Sequence, residues 1–208
     1  EWFCWMNENM RAVGLLVLGL ILGFVPEAQS EDIFELAFES TLAIRDWDAH
    51  YVETGDFNND GYPDVVATCY DYDFSGSDFS YLYTFLSNNG VFNFTEYLDV
   101  TLDFPIGCIT VSDFNNDGFD DILIGEGGYV DVGVTRIEDY LHLLQSNGDG
   151  TFTEVTTIAR RNLWVTSADL NDDGNSDFIV AIPEEYGESP DTIGVYLGNG
   201  DFTFQQMN

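Results

Sequence analysis

Asp56-Phe57-Asn58-Asn59-Asp60-Gly61-Tyr62-Pro63-Asp64 is the stretch on which the reading of this chain turns. It returns without gaps as Asp113-Phe114-Asn115-Asn116-Asp117-Gly118-Phe119-Asp120-Asp121 and as Asp169-Leu170-Asn171-Asp172-Asp173-Gly174-Asn175-Ser176-Asp177. Each copy has the form D-[FL]-N-x-D-G-x-x-D and runs directly into an apolar stretch rich in Val, Ile and Phe. A second landmark follows every copy: Asn89-Gly90-Val91-Phe92, then Asn147-Gly148-Asp149-Gly150-Thr151-Phe152, then Asn199-Gly200-Asp201-Phe202. Two independent landmarks sharing one period identify a tandem repeat.

Working outward from the loops, each period divides into four strands. Strand A enters the Asp-rich loop over 50–57, 106–114 and 163–170, and strand B leaves it over 64–70, 121–125 and 177–182. Strand C covers 81–87, 140–146 and 192–197 and ends at an Asn/Gly turn suited to a tight hairpin. Strand D covers 92–100, 151–159 and, cut short, 202–206. No segment sustains a 3.6-residue apolar period, so the expected fold is all-β. Four antiparallel strands per repeat form the blades of a β-propeller, here about three blades plus partial strands. Residues 33–44 resemble a strand D and would belong to a preceding blade or pair with the last one. Three and a fraction blades fall short of the usual four to eight, so an incomplete propeller or a fragment of a longer protein is expected.

The spacing of the loop residues has a chemical reason. Calcium takes six to eight oxygens at about 2.3–2.6 Å, and alternate residues of a tight loop can aim at one centre. Position 1 (Asp56, Asp113, Asp169), position 3 (Asn58, Asn115, Asn171) and position 5 (Asp60, Asp117, Asp173) offer side-chain oxygens. The glycine at position 6 allows the turn. Position 7 (Tyr62, Phe119, Asn175) would offer its carbonyl, and position 9 (Asp64, Asp121, Asp177) would close the shell directly or through water. One calcium per loop is expected, three in this chain. Asp and Asn also favour plain β-turns, and it is the threefold recurrence that favours metal. A helical calcium loop needs an acid at position 12, where this chain has Ala67, Ile124 and Val180.

The rest of the composition narrows the function. The chain has 38 acidic residues against five arginines and no lysine, a formal net charge of −33. Nucleic acid and anionic membrane surfaces both reward a basic face and are not expected as partners. Met10-Arg11, the apolar run from Ala12 to Val25, and Ala28-Gln29-Ser30 have the order of a secretory signal peptide. That run is shorter than the ~20 residues that span a bilayer, so the mature chain should carry no integral membrane span. Residues 1–30 are thus assigned to an upstream extension and signal peptide, and residues 31–208 to the repeats. The product would be secreted or held at the cell surface. Beyond Cys4, the chain has Cys69 and Cys108, which either form one disulfide across neighbouring blades or stay as two buried thiols.

The three loops, the strand after each and the N-G-D-G-T-F-type turn resemble the FG-GAP/VCBS repeats of integrin α-chain propellers and of many exported microbial proteins. The resemblance covers about residues 33–208, although the FG-GAP dipeptides themselves are poorly preserved. It implies one calcium per loop on one face of the propeller and ligand binding or adhesion on the opposite face. The B–C loops at 71–80, 126–139 and 183–191 would emerge there. Their acids and aromatics would suit a basic protein patch or a glycan, if they are more than solvated surface.

Catalysis finds little support. The only histidines, His50 and His142, fall within strands, and none of the familiar nucleophile or zinc-protease motifs is present. The expected function is therefore calcium-dependent binding or adhesion to a protein or glycan partner. The alternative is the non-catalytic propeller portion of a larger exported polysaccharide lyase or hydrolase.

Overall fold

The computed structural model describes residues 49–71, 79–92, 97–127, 140–159, 164–182 and 192–207. Among these residues every regular element is a strand. Blade 1 consists of β1 (Ala49–Gly55), β2 (Asp64–Asp71), β3 (Phe79–Phe85) and β6 (Leu98–Leu102), hydrogen-bonded in that order. A two-residue hairpin, β4 (Ser87–Asn88) with β5 (Val91–Phe92), projects from it. Blade 2 is the meander of β7 (Ile106–Ser112), β8 (Asp121–Glu126), β9 (Tyr140–Ser146) and β10 (Phe152–Ala159). Blade 3 is formed by β11 (Trp164–Ala168), β12 (Asp177–Ile182), β13 (Thr192–Gly198) and β14 (Phe204–Gln206). All pairings are antiparallel. The all-β, four-strand blade expected from the repeat is the observed architecture.

Blade 2 shows why the strand after each loop reads as unbroken apolar sequence. Successive side chains of a strand point to opposite faces. Ile122 and Ile124 of β8 therefore enter a core shared with Phe57, Val66 and Leu82 of blade 1. Leu123, between them, enters a second core with Val165, Phe178 and Val180 of blade 3. A strand buried on both faces needs apolar residues at consecutive positions. The inner strands set the order of the blades, with β7 lying beside β1 on one side and β11 on the other. Polar contacts tie these neighbours together: Thr110 Oγ1 lies 2.8 Å from Ser167 Oγ, and the Tyr51 hydroxyl donates to the Gly107 carbonyl.

Three expectations need correction or fall outside the described residues. The described ends of strand D in blade 1, Val91–Phe92 and Leu98–Leu102, do not share one ladder. The β4–β5 ladder pairs Ser87 with Phe92, whereas the β3–β6 ladder pairs Thr84 with Leu98, so the two are out of register and belong to separate sheets. The inner strands stop at Gly55, Ser112 and Ala168, because the position-1 aspartates already belong to the turn. No disulfide joins Cys69 to Cys108. Both are buried thiols in different apolar clusters, and burial pushes the Cys108 thiol up to about 11. Residues 1–30, 33–44 and most of the B–C loops lie outside the described residues. No helix among the described residues is long and apolar enough to cross a membrane.

Candidate metal centre

Each Asp-rich loop joins the first two strands of a blade, and the three repeat one hydrogen-bond pattern. In loop 1 the Asp60 amide donates to both Asp56 Oδ1 and Asn58 Oδ1, at 3.0 Å each. The Asp117 amide does the same to Asp113 Oδ1 (3.2 Å) and Asn115 Oδ1 (2.9 Å). In loop 3 the Asp173 amide reaches Asp169 Oδ1 at 3.2 Å and Asn171 Oδ1 at 2.9 Å. The second oxygen of the position-1 aspartate accepts the glycine amide at position 6, at 2.8–2.9 Å in the three loops. The position-3 amide group donates to Oδ2 of the position-5 aspartate in each copy. Side chains 1, 3 and 5 are thereby gathered on one side of the loop.

The backbone explains the residue choice. Position 4 is left-handed in every loop, with φ of 55° at Asn59, 59° at Asn116 and 61° at Asp172. Asn and Asp tolerate that region better than other side chains. Position 6 has φ of 83°, 90° and 87°, where glycine carries no penalty.

Position 9 has a different role. Asp64, Asp121 and Asp177 are fully buried. One carboxylate oxygen of each accepts the amide of loop position 2, from Phe57, Phe114 or Leu170, at 2.8–3.1 Å. The other accepts the amide of the last residue of β9 or β13, Ser146 or Gly198, or in blade 1 of Ser87 just after β3, at 2.7–3.0 Å. This aspartate is a strut that fixes the loop to the blade. Burial raises Asp64, and it raises Asp121 to about 7; donated amides and nearby aspartates modify the effect. Asp173, on the open side of loop 3, is held below the usual carboxylate range, first by the Asn175 amide.

The sequence-predicted ligands thus divide. Positions 1, 3 and 5 converge; position 9 lies behind them with both oxygens on backbone amides. The position-7 residues turn their side chains onto the glycine of the following Asn/Gly turn: a methyl group at Gly148 would come within 2.8 Å of the Phe119 ring. Among the described residues no three His, Cys, Asp or Glu side chains are clustered closely enough to hold a metal on their own. The donor set does fit a hard cation, since every group offered is oxygen, with Asn and carbonyl oxygens beside the carboxylates.

Two further polar arrangements escape the repeat pattern. Asp120, at position 8 of loop 2, accepts the Asp56 amide at 2.7 Å, and its own amide donates to the Asp56 carbonyl at 3.0 Å. It binds one loop to the next blade, and burial raises its carboxyl. The Asp120-Asp121 doublet, replaced by Pro63-Asp64 and Ser176-Asp177 in the other copies, is the signal that could have found it. His142 is buried and stacked on Phe104, with ring centroids 3.8 Å apart. Its ring nitrogens face Glu126 at 3.0 Å and Glu154 at 2.9 Å.

Residues 56–124 match the family model described as an FG-GAP-like repeat. A comparison with curated proteins finds no match. The matched span runs from loop 1 through the rest of blade 1 and into β8, and it contains loops 1 and 2 complete. Over residues 56–124 the chain is thus similar to an FG-GAP-like repeat, and loop 3 repeats the hydrogen bonds of loops 1 and 2 in a third four-stranded blade.

Proposed function

We propose that this chain is an exported, calcium-binding repeat module that works by binding a partner outside the cell or at its surface. The observation that carries the proposal is the convergence, three times over, of the position-1 and position-3 side-chain oxygens on one amide, with the position-5 carboxylate alongside. Asp56, Asn58, Asp60 and the Tyr62 carbonyl would hold one ion, with Asp64 behind. Asp113, Asn115, Asp117 and the Phe119 carbonyl would hold the second, with Asp121 behind, and Asp169, Asn171, Asp173 and the Asn175 carbonyl the third, with Asp177 behind. Calcium would neutralise carboxylates that otherwise repel one another and would stiffen the turn between the first two strands of each blade.

Binding rather than catalysis is the function proposed for this scaffold, on which the three loops recur as one turn of fixed geometry. The ligand would be a basic protein patch or a glycan, met on the face opposite the loops. The signal-peptide pattern at the N-terminus supports export. Calcium titration by calorimetry tests the metal assignment. Binding near three ions per chain, with one lost on Asp60→Ala and a second on adding Asp173→Ala, is expected. Unchanged stoichiometry in those variants would remove the loops as the site.

A further inference from the structure

His142 breaks the repeat. The strand pairs Ala67 with Tyr83, Ile124 with His142 and Val180 with Gly194 hold one place in the three blades, so the column of His142 carries tyrosine in blade 1 and glycine in blade 3. Glu126 likewise stands where the other copies have Cys69 and Ile182. Blades 1 and 3 form without this pair, so the four-stranded fold does not require it.

The ring lies on the side of blade 2 where Ile124 and Leu144 enter the core shared with blade 1. It is stacked on Phe104, in the connection from β6 to β7, with 9° between the planes. Nε2 is 3.0 Å from Glu126 Oε1, at the end of β8, and Nδ1 is 2.9 Å from Glu154 Oε1, on β10. The titratable groups that face the ring are Glu126 from β8, Glu154 from β10 and, from its own strand, Tyr140, with ring centroids 6.3 Å apart. Phe104 brings no charge.

Two acceptors on one ring decide the chemistry. An imidazole donates to both carboxylates only when each nitrogen carries a proton; uncharged, it has one N–H and one lone pair. The carboxylates are not equivalent. The Glu126 side chain is 19% exposed, and its second oxygen accepts the Tyr140 amide at 3.1 Å, just beyond the Gly125–Leu141 pair that ends the β8–β9 ladder. The Glu154 side chain is 49% exposed and can turn to water. The uncharged ring would therefore keep its proton on Nε2 for Glu126 and leave a bare Nδ1 toward Glu154.

We infer that His142 is a proton-operated clasp, which fastens the outer strand β10 to β9 and β8 when charged and releases Glu154 when neutral. Histidine is the side chain whose ordinary charge change falls between pH 5 and 8, so the clasp would hold in acid and open as pH rises. The charged ring also gains from the π-face of Phe104 beneath it. Calcium plays no part in the device.

NMR of the full chain at pH 5 and pH 8 tests it, reading the His142 ring nitrogens and the exchange of the β10 amides, corrected for the intrinsic pH dependence of exchange. Both ring nitrogens should carry protons in acid, and only Nε2 at pH 8. Protection of β10 should fall about tenfold between the two, the loss of one charge-assisted hydrogen bond. Asp121 changes charge in the same window, so the fall is read against Glu154→Gln. A glutamine can accept from the charged ring or donate to the neutral one, so that variant should fold and lose the tenfold response. Ring nitrogens in one protonation state throughout, a proton kept on Nδ1 rather than Nε2 at pH 8, or an equal response in Glu154→Gln overturns the inference.

Discussion

Ser146 Oγ donates to the carbonyl of Phe57 at 2.8 Å, a side-chain bond between blades that spans 89 residues of sequence. Ser87 holds the matching position in blade 1, yet its buried hydroxyl has no partner among the described residues. The two serines should therefore respond differently to removal of the hydroxyl. Ser146→Ala leaves a buried carbonyl without its donor and should cost about 1–3 kcal/mol, whereas Ser87→Ala should be close to neutral. Urea denaturation of the two variants checks the difference.

Gly150 and Phe202 occupy the same column of the Asn/Gly turns, with φ of 83° and 64°. At Gly150 a side chain would meet Leu98 at 2.9 Å and Leu86 at 3.2 Å, whereas Phe202 packs against the core shared by blades 2 and 3. Gly150→Ala combines a left-handed penalty with that crowding and should destabilise the protein by roughly 1–3 kcal/mol. Adding Leu86→Ala should recover part of the loss on thermal unfolding, because it clears space at the turn.

The account separates strut from ligand within one loop. Asp121→Asn turns an amide donor toward a backbone amide inside the fold and should cost about 1–3 kcal/mol without any metal. Asp60→Asn, at an exposed position, should change calcium-free stability by no more than about 0.5 kcal/mol while weakening calcium binding. Equal effects of the two on metal-free stability would merge the roles.

Asp121 also sets a pH dependence. Its folded value of about 7 lies above the ordinary carboxylate value near 4, so the metal-free folded state holds a proton that the unfolded state has lost. Stability without calcium should fall as pH rises from about 4 to 7 and level off above. Asp64 and Asp120 act in the same direction. Asp121→Asn should flatten the profile in that window, as read by denaturation at a series of pH values.

Much of this structure was legible in the repeat. The loop spacing placed the first two strands of every blade. The change of register between the two described ends of strand D in blade 1 was not legible, because Asn89-Gly90 closes a two-residue turn whose register differs from that of the outer strand. Nor was the strut role of Asp64, Asp121 and Asp177. An acid at position 9 reads as a ligand from spacing alone, and its two amide partners come from residues as far as 25 positions away. The bond from Asp120 to the Asp56 amide spans 64 residues and exists only once the blades pack.

Thermal unfolding of the chain in calcium and in excess chelator tests the central claim most directly, since a ligand of the folded state alone raises its stability with the logarithm of concentration. The account predicts a melting temperature that climbs with calcium, falls on chelation and loses its calcium response when Asp60, Asp117 and Asp173 are replaced together by Ala. A melting temperature indifferent to calcium and chelator would contradict it, leaving the three loops as turns held by their own hydrogen bonds.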